Sequence, residues 1–296
     1  MKHYIYTLLA CALLSVAATA LAQTNESDKL KVAALEALIS APPERALPIV
    51  QKVLASDASD DLKSRALFIL SQMSTPEAHA ALTDAARNSS GELKMEAIRM
   101  IGIGGNAETM AVLTELYASG DADIKEAVLE AYLIADDSDA VYQIALNTED
   151  PDEFEEAVRM LGSMRATAEL RALRERSGMS DALIDAYAIA GDVESLRALA
   201  TDGSDPERQV LAIEALGIAG GPDVGATLGE IYRSSESPDI KEAALHGMLI
   251  AGSDDVVLEL FRASQDTDEK RDLLELLVQM GSDDIWDIID QTLENQ

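Results

Sequence analysis

The sequence predicts an all-α protein, a right-handed α-solenoid of about nine two-helix repeats, each of roughly 30 residues. Three observations predict it. First, the chain resembles itself: Asp239-Ile240-Lys241-Glu242-Ala243 repeats Asp123-Ile124-Lys125-Glu126-Ala127, and Ala212-Ile213-Glu214-Ala215-Leu216-Gly217-Ile218 echoes Ala97-Ile98-Arg99-Met100-Ile101-Gly102-Ile103. These matches lie 115 or 116 residues apart, the mark of a duplicated block of several repeats. Second, apolar residues recur with the 3.6-residue helical period, and no segment shows the sustained alternation of a strand. Third, 48% of residues are hydrophobic but only 4% are aromatic, so the core is built from Ala, Leu, Ile, Val and Met, which suit close helix packing.

The short period follows from the small residue inside each first helix. Ala66, Ala97, Ala127, Ala157, Ala182, Ala212 and Ala243 are separated by steps of 31, 30, 30, 25, 30 and 31. An earlier unit opens at Leu30 and a last one begins at Lys270, so the end units, about 28–60 and 266–296, are atypical. Within one unit, Leu93, Ala97, Ile98 and Ile101 form the stripe of the first helix, and Gly102-Ile103-Gly104-Gly105 is expected to stop it. Met110, Leu113, Leu116 and Tyr117 form the stripe of the second. Asp150-Pro151, Asp205-Pro206 and Ser237-Pro238 each read as an N-cap followed by proline at the first helical position. A two-helix unit of this size cannot bury its apolar face alone; stacked units can.

The N-terminus reads as a targeting segment. Met1-Lys2-His3 is a short basic start, Tyr4 to Ala18 is nearly all apolar, and Ala20-Leu21-Ala22 presents small residues where a signal peptidase cuts. Residues 1–22 are therefore expected to be removed, leaving a short polar N-terminus at 23–27 and one repeat domain over 28–296 in the periplasm or outside the cell. Without 1–22 the chain loses Lys2, His3 and Cys11, so its net charge moves from −31 to −32 and no cysteine is left. That excludes disulfide and thiolate chemistry. It also speaks against nucleic acid, whose phosphates need a basic surface. No other apolar stretch is long enough to span a bilayer.

The first helices from Gly91 to Gly105 and from Pro206 to Gly221, of Asp-x-x-Leu/Ile-Lys-x-x-Ala-Ile/Leu-x-x-Leu/Ile-Gly type, resemble the short HEAT-like repeats of the bilin-lyase group, over roughly 28–290. The resemblance implies a solenoid whose second helices line the concave face. It also keeps open a lyase-like or cofactor-handling activity.

The residues themselves point away from chemistry. Gly102-Ile103-Gly104-Gly105-Asn106-Ala107 contains a G-x-G-x-x-A string, but a helix precedes it, whereas a dinucleotide fingerprint follows a strand. His79 and His246 are far apart in the array, and neither has a ligand partner at metal spacing. The pairs Asp121/Asp123, Asp137/Asp139, Asp150/Asp152 and Asp266/Asp268 would suit calcium, yet no stretch supplies a complete loop, and capping accounts for them. No catalytic, cofactor-binding or metal-binding residue is therefore assigned.

One irregularity stands out. The step from Ala157 to Ala182 is short by about five residues, and the same unit carries Arg159, Arg165, Arg171, Arg174 and Arg176. Arg171 and Arg174 share a helix face. They either pair with acids of adjacent repeats or offer a patch to a carboxylate of a partner. Arg171, Arg174 and the matching tyrosines Tyr117 and Tyr232 are the candidate partner contacts; packing on the next repeat is the alternative role of the tyrosines. The expected function is a non-catalytic exported scaffold that binds a protein or peptide along the face of the solenoid, its acidity favouring a basic partner.

Overall fold

The computed structural model describes residues 29–282, 285–286 and 289–290; the predicted signal segment 1–22 and the polar stretch 23–27 lie outside them. Among the described residues there is no strand. The chain divides into two compact units, the first ending at Asp136 and the second beginning at Asp137.

In the first unit, helical residues 29–36 (α1) run into a 3₁₀ turn at Ala37–Ser40. Then come α2 (Pro43–Leu54), α3 (Asp60–Ser71), α4 (Pro76–Asn88), α5 (Glu92–Gly104), α6 (Ala107–Ser119) and α7 (Ala122–Ala135). The second unit comprises α8 (Ser138–Asn147), α9 (Pro151–Ser163), α10 (Thr167–Ser177), α11 (Asp181–Ala190), α12 (Val193–Ala200), α13 (Pro206–Ala219), α14 (Val224–Ser234), α15 (Pro238–Ala251), α16 (Asp254–Ala263) and α17 (Thr267–Met280). Odd-numbered helices are the first helices of the predicted pairs and even-numbered ones the second. Within each unit, a first helix packs against the next first helix and against the second helix that precedes it.

The helix boundaries follow from capping chemistry. Asp121, Asp137, Asp150 and Asp266, the leading members of the four Asp-x-Asp pairs, each accept a backbone N–H of the helix they open. Asp205 and Thr75 do the same ahead of Pro206 and Pro76, whereas Ser237 starts α15 without a side-chain bond. From α5 onward the first helices end on residues with positive φ: glycine at Gly105, Gly191, Gly220, Gly252 and Gly281, but Asp136 and Arg165 after α7 and α9. A side chain other than glycine costs roughly 1–2 kcal/mol there, less for Asp.

The marker alanines behave as expected where the repeat is regular: Ala66, Ala97, Ala127, Ala157, Ala212 and Ala243 are all buried. The glycines one turn later do more than stop helices. Of Gly102-Ile103-Gly104-Gly105, only Gly105 terminates α5; Gly102 lies inside it, against the Ala131 backbone of α7. Gly162 of α9 meets Ala186 of α11 in the same way, and Gly217 of α13 meets Gly247 of α15. A β-carbon at Gly217 would lie 2.5 Å from the Gly247 carbonyl oxygen, and one at Gly162 would lie 3.0 Å from that of Ala186. First helices are thus stacked backbone to backbone, which only small residues permit.

A candidate docking cleft beside a shortened helix

The short step in the sequence has a structural cause. Ala131 and Gly247 are each the tenth residue of their helix, whereas the equivalent Ala186 is only the sixth of α11. One helical turn is missing from the front of α11. Gly178, at φ 82, redirects the chain after α10, and Ser180 caps the late start by accepting the Leu183 N–H. The marker Ala182 keeps its register but has no turn above it, so it is half-buried, unlike its counterparts.

Where the turn is missing, a cleft of about 590 Å³ opens in the second unit. Its lining includes apolar Leu146, Pro151 and Phe154, the Gly178-Met179-Ser180 loop, and the acids Glu149, Glu155 and Asp181. Arg208 of α13 stands at its edge, 3.8 Å from Asp181 and 3.3 Å from Asp205. Through Glu155 and Ala182 the cleft continues into a groove of about 330 Å³, which runs between α9 and α11 to Ile189 and Ile218. Burial raises the Asp185 carboxyl in this groove above the ordinary carboxylate range, and the neighbouring Asp181 charge raises it further.

The groove ends on an apolar row. Ile189, Ile218 and Ile250 each sit two residues before the left-handed residue that ends α11, α13 and α15, and all three are exposed, Ile218 by 60%. Ile103 and Ile134 hold the same position in the first unit. Sequence reasoning missed these residues because it followed the buried stripe. The available signal was isoleucine recurring on the opposite side of the helix, always next to the stop. A larger, mostly apolar hollow of about 720 Å³ lies in the first unit, lined by Leu35, Leu38, Ile49, Val53 and Leu62.

The structure distributes the five arginines over three elements. Arg171 forms a two-pronged pair with Asp192, Nη2 to Oδ1 at 2.6 Å and Nε to Oδ2 at 2.8 Å, and its Nη2 also reaches Glu194 at 2.9 Å. The Asp192 side chain is only 2% exposed; it caps α12 and accepts both the backbone N–H and the hydroxyl of Ser195. Burial pushes this carboxyl up, but hydrogen bonds from Arg171 and Ser195 outweigh burial and hold it below the usual range. Arg171 therefore fastens α10 to the start of α12. Arg174, half-buried on α10, faces the same region and acts electrostatically on Tyr187 and Asp202. Arg159 pairs with Glu156 and lines the groove, and Arg165 holds the left-handed turn after α9.

Both candidate tyrosines are buried. Lys125 lies over the Tyr117 ring at 5.5 Å, and Lys241 over the Tyr232 ring at 4.9 Å, so the duplicated Asp-Ile-Lys segments carry a duplicated cation–π contact. Tyr232 also donates its hydroxyl to Glu269 at 2.9 Å, joining α14 to α17. Burial, and then that hydrogen bond to a carboxylate, raises the phenol above its ordinary value. His79 is half-buried on α4, and His246 faces Glu214 at 3.5 Å. Among the described residues, no group of three or more His, Cys, Asp or Glu could hold a metal ion, and no helix is long and apolar enough to cross a membrane.

Paired helices, stacked first helices and a roughly 30-residue period give the chain a HEAT-like repeat architecture, and a HEAT-repeat family profile matches residues 47–132. Among solved structures, the chain is similar to the CpcE–CpcF complex of phycocyanin lyase from a Nostoc species, with 18% identity over 81% of this chain and 95% of that one, at a TM-score of 0.34. It is also similar to human deoxyhypusine hydroxylase in complex with glycerol, with 16% identity over 80% and 96% of the two chains, at a TM-score of 0.34. An engineered protein matches with 18% identity over 78% and 81%, at a TM-score of 0.31. A search of curated proteins finds no match.

Proposed function

We propose that this HEAT-like chain is a non-catalytic module, exported by residues 1–22 to the periplasm or beyond, that binds a protein partner on the first-helix face of its second unit. The observation that carries this reading is the exposed isoleucine row of α11, α13 and α15 beside the open cleft at the shortened α11. Exposed apolar side chains rimmed by charge mark interaction surfaces. The net charge of −31 favours a basic partner and speeds its encounter.

The test is a photo-crosslinking amino acid placed at Ile218 and, separately, at exposed Asp84 of α4, in the cells that make the protein. The reading predicts one discrete adduct from position 218 and none from position 84. Equal adducts from both positions, or none from either, would overturn it.

A further inference from the structure

Along the stacked first helices, charged residues face each other in a fixed register. The residue three before the close-packed glycine of one helix meets the residue one before the small residue it touches on the next. In the first unit these are Arg99 and Glu130, closed by an ion pair at 2.9 Å. In the second unit Glu214 and His246 hold the same places, the carboxylate now on the first of the two helices and an imidazole on the second, 3.5 Å apart. The third rung is Arg159 and Asp185, between α9 and α11. It is open. Arg159 turns to Glu156 on its own helix, and a groove lies between the two rung residues. Asp185 and neighbouring Glu155 face that groove with no cation paired to them among the described residues.

The open rung stands at the missing turn of α11 and one turn before Ile189. Negative charge and apolar surface are thus offered side by side. Successive helices pack about 8–10 Å apart, so Ile189, Ile218 and Ile250 step across the face at about that interval. An extended peptide in the polyproline II conformation rises about 3.1 Å per residue with three residues per turn, so every third side chain returns to the same face at about that step.

We propose that the α9–α11 groove docks an extended segment of a partner protein, placing a lysine or arginine between Asp185 and Glu155 and apolar side chains, three residues apart, on Ile189 and Ile218. This rests on the binding-module reading and assigns its site and the chemistry of its partner. The incoming cation takes the place that Arg99 fills opposite Glu130 in the closed rung of the first unit, which Arg159 leaves by turning to Glu156, with the charge sense set by Asp185. The apolar spacing supplies register, and the acidic rim rejects anionic sequences.

The experiment is fluorescence anisotropy of the full chain with three labelled decapeptides. One has leucine at every third position with lysine between. The second has the same composition with its leucines contiguous. The third has glutamate for lysine. The first peptide is expected to bind at least about tenfold more tightly than the other two. Asp185→Asn combined with Glu155→Gln should weaken it about tenfold, and Ile218→Asp should abolish binding. Ile103→Asp in the first unit should leave binding unchanged, with circular dichroism confirming that every variant is folded. Binding that ignores Asp185, Glu155 and Ile218, or that is lost with Ile103→Asp, overturns the groove assignment and leaves the module reading standing. Equal binding of the lysine and glutamate peptides overturns the charge assignment. If no peptide binds while position 218 still crosslinks a partner, the inferred chemistry fails. If neither occurs, the module reading fails with it.

Discussion

Gly217→Ala inverts the usual effect of alanine in a helix. Replacing an interior helical glycine by alanine ordinarily stabilises by about 1 kcal/mol, because the unfolded chain loses freedom. Here the new β-carbon would lie 2.5 Å from the Gly247 carbonyl oxygen and 2.7 Å from its α-carbon. Both obstacles are backbone, so no side chain can rotate away, and α15 must move by several tenths of an ångström along the seam. Overpacking of this kind costs about 1–3 kcal/mol, and moving a whole helix puts the cost at the upper end. The net expectation is destabilisation by roughly 1–2 kcal/mol. Gly203→Ala is the control: it has nothing within 4 Å and lies in a turn, and it should shift stability by less than about 0.5 kcal/mol. Urea unfolding followed by circular dichroism at the helical band measures both, and hydrogen exchange of α13 and α15 localises the effect. A Gly217→Ala midpoint equal to or above wild type would refute backbone-to-backbone stacking of the first helices.

Asp192→Ala removes a helix cap and the buried partner of Arg171, and should cost about 2–3 kcal/mol. A double-mutant cycle with Arg171→Ala should give a coupling above about 0.5 kcal/mol, and additivity would contradict the pairing. Because the folded Asp192 carboxyl titrates below its unfolded value, this stabilisation is present above about pH 4 and lost as pH falls through the folded value, so the Asp192→Ala deficit should shrink in acid. Asp185 has the opposite sign. Its raised carboxyl costs stability when ionised, so Asp185→Asn should gain well under 1 kcal/mol at pH 7, and the gain should vanish once both states are protonated in acid. Tyr232→Phe keeps the ring beneath Lys241 but loses the bond to Glu269, and a drop of about 1 kcal/mol in urea unfolding is expected. N-terminal sequencing of chain recovered from the cell envelope should begin at Gln23.

The architecture was legible because it repeats. Period, caps and small markers all reflect local chemistry that any one unit displays, and Asp121, Asp137, Asp150 and Asp266 cap helices as their spacing implies. The short step between Ala157 and Ala182 was legible as an irregularity but pointed to neither the cleft nor its cause, since only the contact of Gly162 with Ala186 shows that the lost residues belong to the front of α11. The arginine cluster was visible as composition. Whether Arg171 faces solvent or a carboxylate depended on Asp192, 21 residues away, which sequence spacing does not reveal. That a Lys of the following helix lies over each tyrosine ring was not legible either, because only the fold sets the distance between the two side chains. The exposed isoleucines escaped notice because a period marks both faces of a helix, and hydrophobicity alone assigns every isoleucine to the core.

The most direct test of the docking cleft is to restore the missing turn. Four helix-forming residues inserted between Ser180 and Asp181 would lengthen α11 by about one turn, or about 6 Å, into the cleft. Binding of the lysine–leucine peptide is then measured on the full chain, alongside its helicity and urea midpoint. The account predicts a folded variant, at least as helical as wild type, that has lost binding at least about tenfold. A folded variant that binds the peptide as wild type does would contradict it.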